Sequence, residues 1–81
     1  MKTVACLEAG QTGIICEKGF ENIPLKLLEM GCLPGNAITL VRKAPFSDPI
    51  CISINGSQYI IRKDTAHMIP VSVDILEAIA M

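Results

Sequence analysis

Apolar and polar residues alternate along two segments in the middle of the chain, a pattern that predicts β-strands. In residues 37–43 the even-numbered side chains are expected to share one face of a strand. In residues 50–54 every second residue is an isoleucine. Asn55-Gly56 follows directly, and both residues tolerate the positive φ angles of a type I′ turn, so the next residues are predicted to return as a hairpin partner.

Shorter strands are predicted towards both ends of the chain. Residues 13–17 are β-branched in the middle, and residues 69–73 fit a short closing strand. Pro70 cannot donate a hydrogen bond, which predicts that this closing strand lies at an edge of the sheet. Between the hairpin and that strand, residues 63–66 are predicted to form a single helical turn with Asp64 as its cap.

The apolar spacing becomes helical over about residues 23–30. Apolar residues recur at i, i+4 and i+5 from Ile23, which predicts one short helix packed over an opening of the sheet. Asn22 is the expected N-cap, and Pro24 is expected in the first turn, where a missing N–H costs nothing.

The residues after this helix predict a sharp junction with the next strand. Gly31 is expected to end the helix in the left-handed conformation, with Leu33 folding back onto the last turn. Pro34-Gly35 fits the two central positions of a type II turn. The chain is therefore predicted to leave a helix and enter a strand within a few residues.

Five to six short strands with one small helix predict a mainly β fold, a small β-barrel rather than an open sheet. We expect one domain over residues 1–81, with its core in residues 3–73. Residues 74–81 form an apolar tail with Ile75, Leu76 and Ile79 at helical spacing, which predicts a C-terminal helical turn. This tail is expected either to lie on the barrel or to mediate self-association into a homo-oligomer.

Composition narrows the classes of function. The hydrophobic fraction is 51%, so the chain is not of the disordered type. A net charge of −1 without a basic block argues against nucleic-acid binding. No apolar run approaches the roughly 20 residues of a membrane span, and the N-terminus does not resemble a secretion signal. We therefore expect a cytoplasmic protein that does not insert directly into a membrane.

Cysteine and histidine residues are the candidates for metal binding. The four cysteines are widely and irregularly spaced without a C-x-x-C pair, which argues against a zinc knuckle and favours small core residues. The alternative is weak transition-metal binding by Cys16, Cys51 or His67.

Candidate catalytic residues do not form a recognisable pattern. His67 is the single histidine, and no Ser/His/Asp arrangement or glycine-rich phosphate loop can be assigned. We expect a protein that is not an enzyme and has no cofactor.

Three stretches of the sequence resemble one known family. They are Leu-Leu-Glu-Met-Gly-Cys-Leu-Pro-Gly at residues 27–35, Ala-Pro-Phe-Ser-Asp-Pro at residues 44–49 and Arg-Lys-Asp-Thr-Ala at residues 62–66. In this order and spacing they resemble the FeoA family, the ferrous iron transport protein A, over about residues 3–73. Cys32 stands where a leucine is common in that family.

The resemblance implies an SH3-like β-barrel that works with the ferrous iron transporter FeoB, a membrane protein with a cytoplasmic GTPase domain. It implies an accessory or regulatory role in iron uptake, peripheral to the inner membrane through this partner. The same barrel is similar to the C-terminal domain of iron-dependent repressors. Neither catalytic residues nor well-fixed metal ligands come with the resemblance.

Two hypotheses about function follow. The first is a protein–protein interaction module that docks on the transporter through residues of the helix end and the proline-braced loop: Met30, Cys32, Leu33, Phe46 and Asp48. The second is a metal-responsive sensor or carrier of iron or zinc that uses the cysteine and histidine candidates named above.

Overall fold

The computed structural model describes residues 2–19, 21, 23–45 and 48–73. The described residues form six strands and two short helices, which agrees with the five to six strands predicted from the sequence. The strands are β1 (Lys2–Thr3), β2 (Thr12–Ile15), β3 (Ala37–Lys43), β4 (Ile50–Ile54), β5 (Ser57–Ile61) and β6 (Pro70–Ser72). The helices are α1 (Leu25–Glu29) and α2 (Lys63–Ala66), and a 3-10 turn spans Val4–Cys6.

The six strands form one antiparallel sheet in the order β1-β6-β2-β3-β4-β5. This arrangement confirms the mainly β class and the predicted number of strands. The α2 helix follows the last strand of that order and packs against the 3-10 turn that follows the first one. The two ends of the sheet are thereby brought towards each other.

The buried core is mainly aliphatic. Ile50, Ile52 and Ile54 are all buried, as expected for one face of β4, and Cys51 on the other face is buried too. Leu7 is also buried, while Ile23 and Leu27 extend the core to α1. Burial of such side chains is the main stabilising contribution in a domain with few aromatic residues.

The α1 helix is shorter than predicted and begins later. Pro24 is its N-cap, with an extended backbone (φ −56°, ψ 143°), so the prediction that Pro24 lies inside the first turn is wrong. Its carbonyl accepts hydrogen bonds from the N–H groups of Leu27 and Leu28, at 2.9 and 3.2 Å. Ile23 is buried in the core immediately before the helix. Pro24 therefore lies between this buried residue and Leu25, the first residue of α1. Asn22, the predicted N-cap, lies outside the described residues.

The helix ends in a Schellman motif. Gly31 has a φ of +107°, and its N–H bonds to the carbonyl of Leu28, while the Cys32 N–H bonds to the carbonyl of Leu27. Cys32 therefore occupies the position that folds back onto the helix, and it is fully buried. The prediction gave this position to Leu33, which is 45% exposed, and was wrong by one residue.

The turn after the helix is as predicted. The N–H of Asn36 bonds to the carbonyl of Leu33 at 3.0 Å, and Gly35 has a φ of +92°. These features are those of a type II turn with Pro34 at its second position. The turn directs the chain into β3.

Details of three strands differ from the predictions. A bulge between Leu40 and Arg42 leaves Arg42 exposed rather than on the buried face of β3. The β2 strand ends at Ile15, two residues earlier than predicted. The β6 strand lies between β1 and β2, so the edge position predicted from Pro70 is wrong. Pro70 is tolerated there because it is the first residue of the strand.

Candidate functional site

A surface groove of about 570 Å³ separates α1 from β5. One wall is formed by the helix and its N-cap, through Pro24, Lys26, Leu27 and Met30. The opposite wall is formed by β5 and the start of α2, through Tyr59, Ile60, Ile61, Arg62 and Thr65. The volume lies in the range of about 300–1,000 Å³ that is common for binding clefts.

The hairpin fixes the strand wall. Asn55 and Gly56 have φ angles of +51° and +84°, which confirms the type I′ turn predicted from the sequence. The resulting register sets Tyr59 opposite Ile52. Alternation then leaves Ile60 on the outer face, where it is 63% exposed.

The helix wall is held by a close contact between the helix end and the hairpin turn. A β-carbon built at Gly31 would lie 2.7 Å from the Asn55 Nδ2 atom and 3.1 Å from the Ile54 Cγ2 atom. Glycine at this position therefore has two roles. It adopts the positive φ that ends the helix, and its lack of a β-carbon leaves room for the hairpin turn. The contact fixes α1 relative to β5, and hence the shape of the groove.

At one end of the groove, α2 is capped by a hydrogen bond with a residue that is distant in sequence. The Lys63 N–H donates to the Oδ1 atom of Asp48 at 3.0 Å, and Lys63 is the first residue of α2. Asp64 was the predicted cap, but it lies inside the first turn, past the position from which a side chain caps a helix. The loop residue Asp48 therefore caps the helix whose first turn contributes Thr65 to the groove.

The charged residues of the groove have one sign. Lys26 stands on the helix wall and Arg62 on the opposite wall, and both are exposed. The described residues that line the groove include no aspartate or glutamate. An apolar surface with cations on both sides favours a ligand that combines apolar and negatively charged groups.

The predicted interface residues fall in different environments. Met30 lines the groove and is half-buried, whereas Leu33 is exposed outside it. Cys32 is fully buried, so its side chain cannot contact a partner, and its prediction as an interface residue is corrected. Asp48 is exposed and caps α2. Phe46 lies outside the described residues.

The metal candidates are not brought together. Cys16 and Cys51 are buried and His67 is exposed. Among the described residues, no group of three His, Cys, Asp or Glu side chains is arranged to hold a metal ion. Metal binding by these residues stays a prediction from the sequence.

The remaining thiols have different environments. Burial raises the pKa of Cys32 to about 11. The exposed Cys6 has a lowered pKa, first because of a backbone hydrogen bond at Thr3 and then because of the Thr3 hydroxyl.

Ile75, Leu76 and Ile79, the candidates for self-association, lie outside the described residues.

Sequence reasoning missed most of the groove. Lys26, Tyr59, Ile60 and Arg62 were not predicted to belong to a site. The available signal was the strand sequence Ser-Gln-Tyr-Ile-Ile, which has an exposed isoleucine and none of the charges or prolines that usually protect an edge strand.

The fold defines the class of protein, an SH3-like domain. The FeoA domain model matches residues 2–73, and the chain therefore belongs to the FeoA family. This family is associated with ferrous iron transport. The comparison with curated proteins found no match.

Three solved structures illustrate the similarity. An iron uptake regulatory protein, FeoA, is 29% identical with a TM-score of 0.71, and the alignment covers 88% of this chain and 96% of that one. The zinc complex of Stenotrophomonas maltophilia FeoA, described as a prokaryotic SH3 domain protein, is 18% identical with a TM-score of 0.73 and coverages of 89% and 91%. At that identity the likeness shows the fold alone.

The third structure supports the predicted similarity to repressors. IdeR from T. acidophilum is 25% identical with a TM-score of 0.67, and the alignment covers 88% of this chain and 33% of IdeR. The similarity therefore involves one part of that longer protein.

Among the described residues of the present chain, no helix is long and apolar enough to cross a membrane.

Proposed function

We propose that this protein is a non-catalytic accessory and regulatory subunit of ferrous iron uptake, which binds the cytoplasmic, GTPase-containing region of a FeoB-type transporter. It works in the cytoplasm and reaches the inner membrane through this partner. Family membership supports the process, and the groove between α1 and β5 supports the binding role.

The observation that carries the proposal is an apolar groove with an exposed isoleucine, Ile60, in its strand wall. Leu27 and Met30 lie on the helix wall, and Tyr59 and Ile60 lie on the strand wall, so a partner side chain placed in the groove meets apolar groups from both walls. Protein interfaces commonly have such an apolar centre with a polar rim. Exposed apolar surface of this kind commonly marks a site of protein interaction.

Met30 connects the groove with the interface predicted from the sequence. Leu33, Phe46 and Asp48 remain predicted contacts beside it. Replacing Phe46 with alanine is expected to weaken the complex and to leave the thermal stability nearly unchanged. A large loss of stability would assign Phe46 to the core instead.

The test is a titration of isotope-labelled protein with the soluble GTPase-containing region of the matching transporter, with and without nucleotide, followed by backbone amide shifts. We expect shifts concentrated in α1 and β5. Ile60→Ala should weaken binding by about tenfold, as for a residue at the centre of an interface. Val73→Ala is the matched control, because Val73 is also exposed and lies outside the groove.

The outcomes separate the alternatives. Equal binding of the two variants, with shifts around Leu33 and Asp48, would move the interface to the helix end and the loop. Absence of any shift with either nucleotide state would contradict the proposed contact with the soluble region.

A further inference from the structure

The β5 strand is an unprotected edge of the sheet. It stands last in the strand order, and its register with β4 continues without a bulge over Ser57–Ile61. It contains no proline, glycine or charged residue. The opposite edge strand, β1, has two residues and carries Lys2, which are features that protect an edge from pairing with another chain.

The backbone groups on this edge have a definite arrangement. Ile54 and Ser57 flank the two-residue turn, and hydrogen bonds between flanking residues close such a turn. Since pairs alternate along an antiparallel ladder, the N–H and C=O groups of Gln58 and Ile60 point away from β4. An extended chain laid along β5 meets two donors and two acceptors there.

The groove lies directly beside this edge. A strand paired with β5 directs alternate side chains towards α1, where Leu27 and Met30 offer an apolar surface. Lys26 and Arg62 flank that surface from opposite walls, and no described lining residue is acidic. The charge of the site therefore complements a segment with carboxylates.

We propose that the partner binds by adding one extended segment to the β5 edge, and that this segment carries apolar residues at alternate positions and acidic residues that pair with Lys26 and Arg62. The main-chain bonds to Gln58 and Ile60 give the segment its direction, and the apolar side chains fill the groove. This inference rests on the proposed function for the identity of the partner, and on the edge strand and the groove for its chemistry.

The first experiment uses the full chain and the soluble transporter region. On binding, hydrogen exchange of the Gln58 and Ile60 amides is expected to slow by at least about tenfold, because these amides become paired. Lys26→Glu combined with Arg62→Glu should weaken the complex by about tenfold or more. Lys2→Glu combined with Lys18→Glu makes the same change of charge on exposed residues outside the groove and should alter affinity by less than about threefold.

A complex that forms without slower exchange at Gln58 and Ile60, and with equal effects of the two double variants, overturns this inference and leaves the proposed function standing. Thermal melting of each variant shows whether the fold is retained. All four substituted lysine and arginine side chains are exposed, so the fold is expected to survive.

A second experiment decides the inference if the transporter region does not bind, which is the failure of the proposed function. The probes are two blocked peptides of alternating valine and threonine, one with aspartates at both ends and one with lysines. We expect the backbone amide signals of α1 and β5 to shift with the acidic peptide and not with the basic one. Binding of neither peptide, or equal binding of both, overturns the inference.

Discussion

The carboxylate of Asp48 accepts a hydrogen bond from the backbone N–H of Lys63 at 3.0 Å, and so caps α2 from a loop 15 residues earlier in the chain. The first backbone N–H groups of a helix have no partner within the helix itself. The local N-cap residue, Arg62, makes no side-chain cap here. The same hydrogen bond therefore satisfies the helix and ties the loop before β4 to one end of the groove.

Replacing Asp48 with alanine removes this cap. We expect the free energy of unfolding to fall by about 0.5–2 kcal/mol, the usual cost of losing a capping side chain. Asp48→Asn keeps an acceptor oxygen and should lose clearly less. Urea denaturation of the three proteins measures the difference, and an equal loss in both variants would show that the negative charge, rather than the hydrogen bond, matters.

Replacing Gly31 with alanine should destabilise the protein by about 1–3 kcal/mol, because the backbone is left-handed and the added β-carbon would meet Asn55. Gly35→Ala is the matched control, since Gly35 also has a positive φ but has open space around it. Its cost should be that of the backbone conformation alone, about 1–2 kcal/mol.

The contact between Gly31 and Asn55 can be isolated with a double-mutant cycle. Asn55→Gly keeps the φ of +51° accessible and removes the side chain that a β-carbon at position 31 would approach. The penalty of Gly31→Ala should be smaller in this background. An unchanged penalty would assign the whole cost to the backbone or to Ile54.

The stability of the protein should depend on pH in the alkaline range through Cys32. Burial raises the pKa of this thiol from 9.0 to about 11 in the folded state. Above pH 9 the thiol ionises in the unfolded chain while it stays neutral in the folded one, which favours unfolding. The contribution of the neutral Cys32 thiol to the free energy of unfolding is therefore complete below about pH 9, and it is lost as the pH rises towards 11.

Chemical denaturation between pH 8 and pH 11 measures this effect, with Cys32→Ala as the control. The alanine variant is less stable overall because of the cavity, but its stability should fall less steeply with pH. Parallel curves for the two proteins would contradict a buried, neutral thiol.

The four cysteines should differ in their rate of alkylation. Cys6 is exposed and has a lowered pKa, so more of it is in the reactive thiolate form than for an ordinary thiol. The buried cysteines, Cys16, Cys32 and Cys51, should react only after unfolding. Mass spectrometry after brief treatment with iodoacetamide at pH 8, with and without urea, tests the order. Early modification of a buried cysteine would contradict it.

The elements predicted correctly from the sequence are those fixed by neighbouring residues. The Asn55-Gly56 turn and the left-handed Gly31 depend on φ angles that few other residues adopt. The shared face of Ile50, Ile52 and Ile54 in β4 depends only on the alternation of side chains along a strand. Each of these features is contained in a window of a few residues.

Several of the wrong predictions involve partners that are distant in sequence. Asp48 caps a helix in another part of the chain, and local capping rules pointed to Asp64 instead. Pro70 suggested that β6 is an edge strand. Instead, β1 pairs with the side of β6 that does not contact β2, and Thr3 is the partner of Pro70 in this pairing. The groove was missed for the same reason, because its two walls come from segments that are distant in sequence, and Gly31 of the helix end lies close to Asn55 of the hairpin turn.

The position of β6 between β1 and β2 has a consequence for synthesis. Ile15 and Lys2 both pair with Val71, one on each side of it. A growing chain therefore exposes the first two strands long before their shared neighbour leaves the ribosome, for several seconds at about 5–20 residues per second. The sheet is completed only when residues 70–72 emerge, so assembly of this domain is a late event in translation.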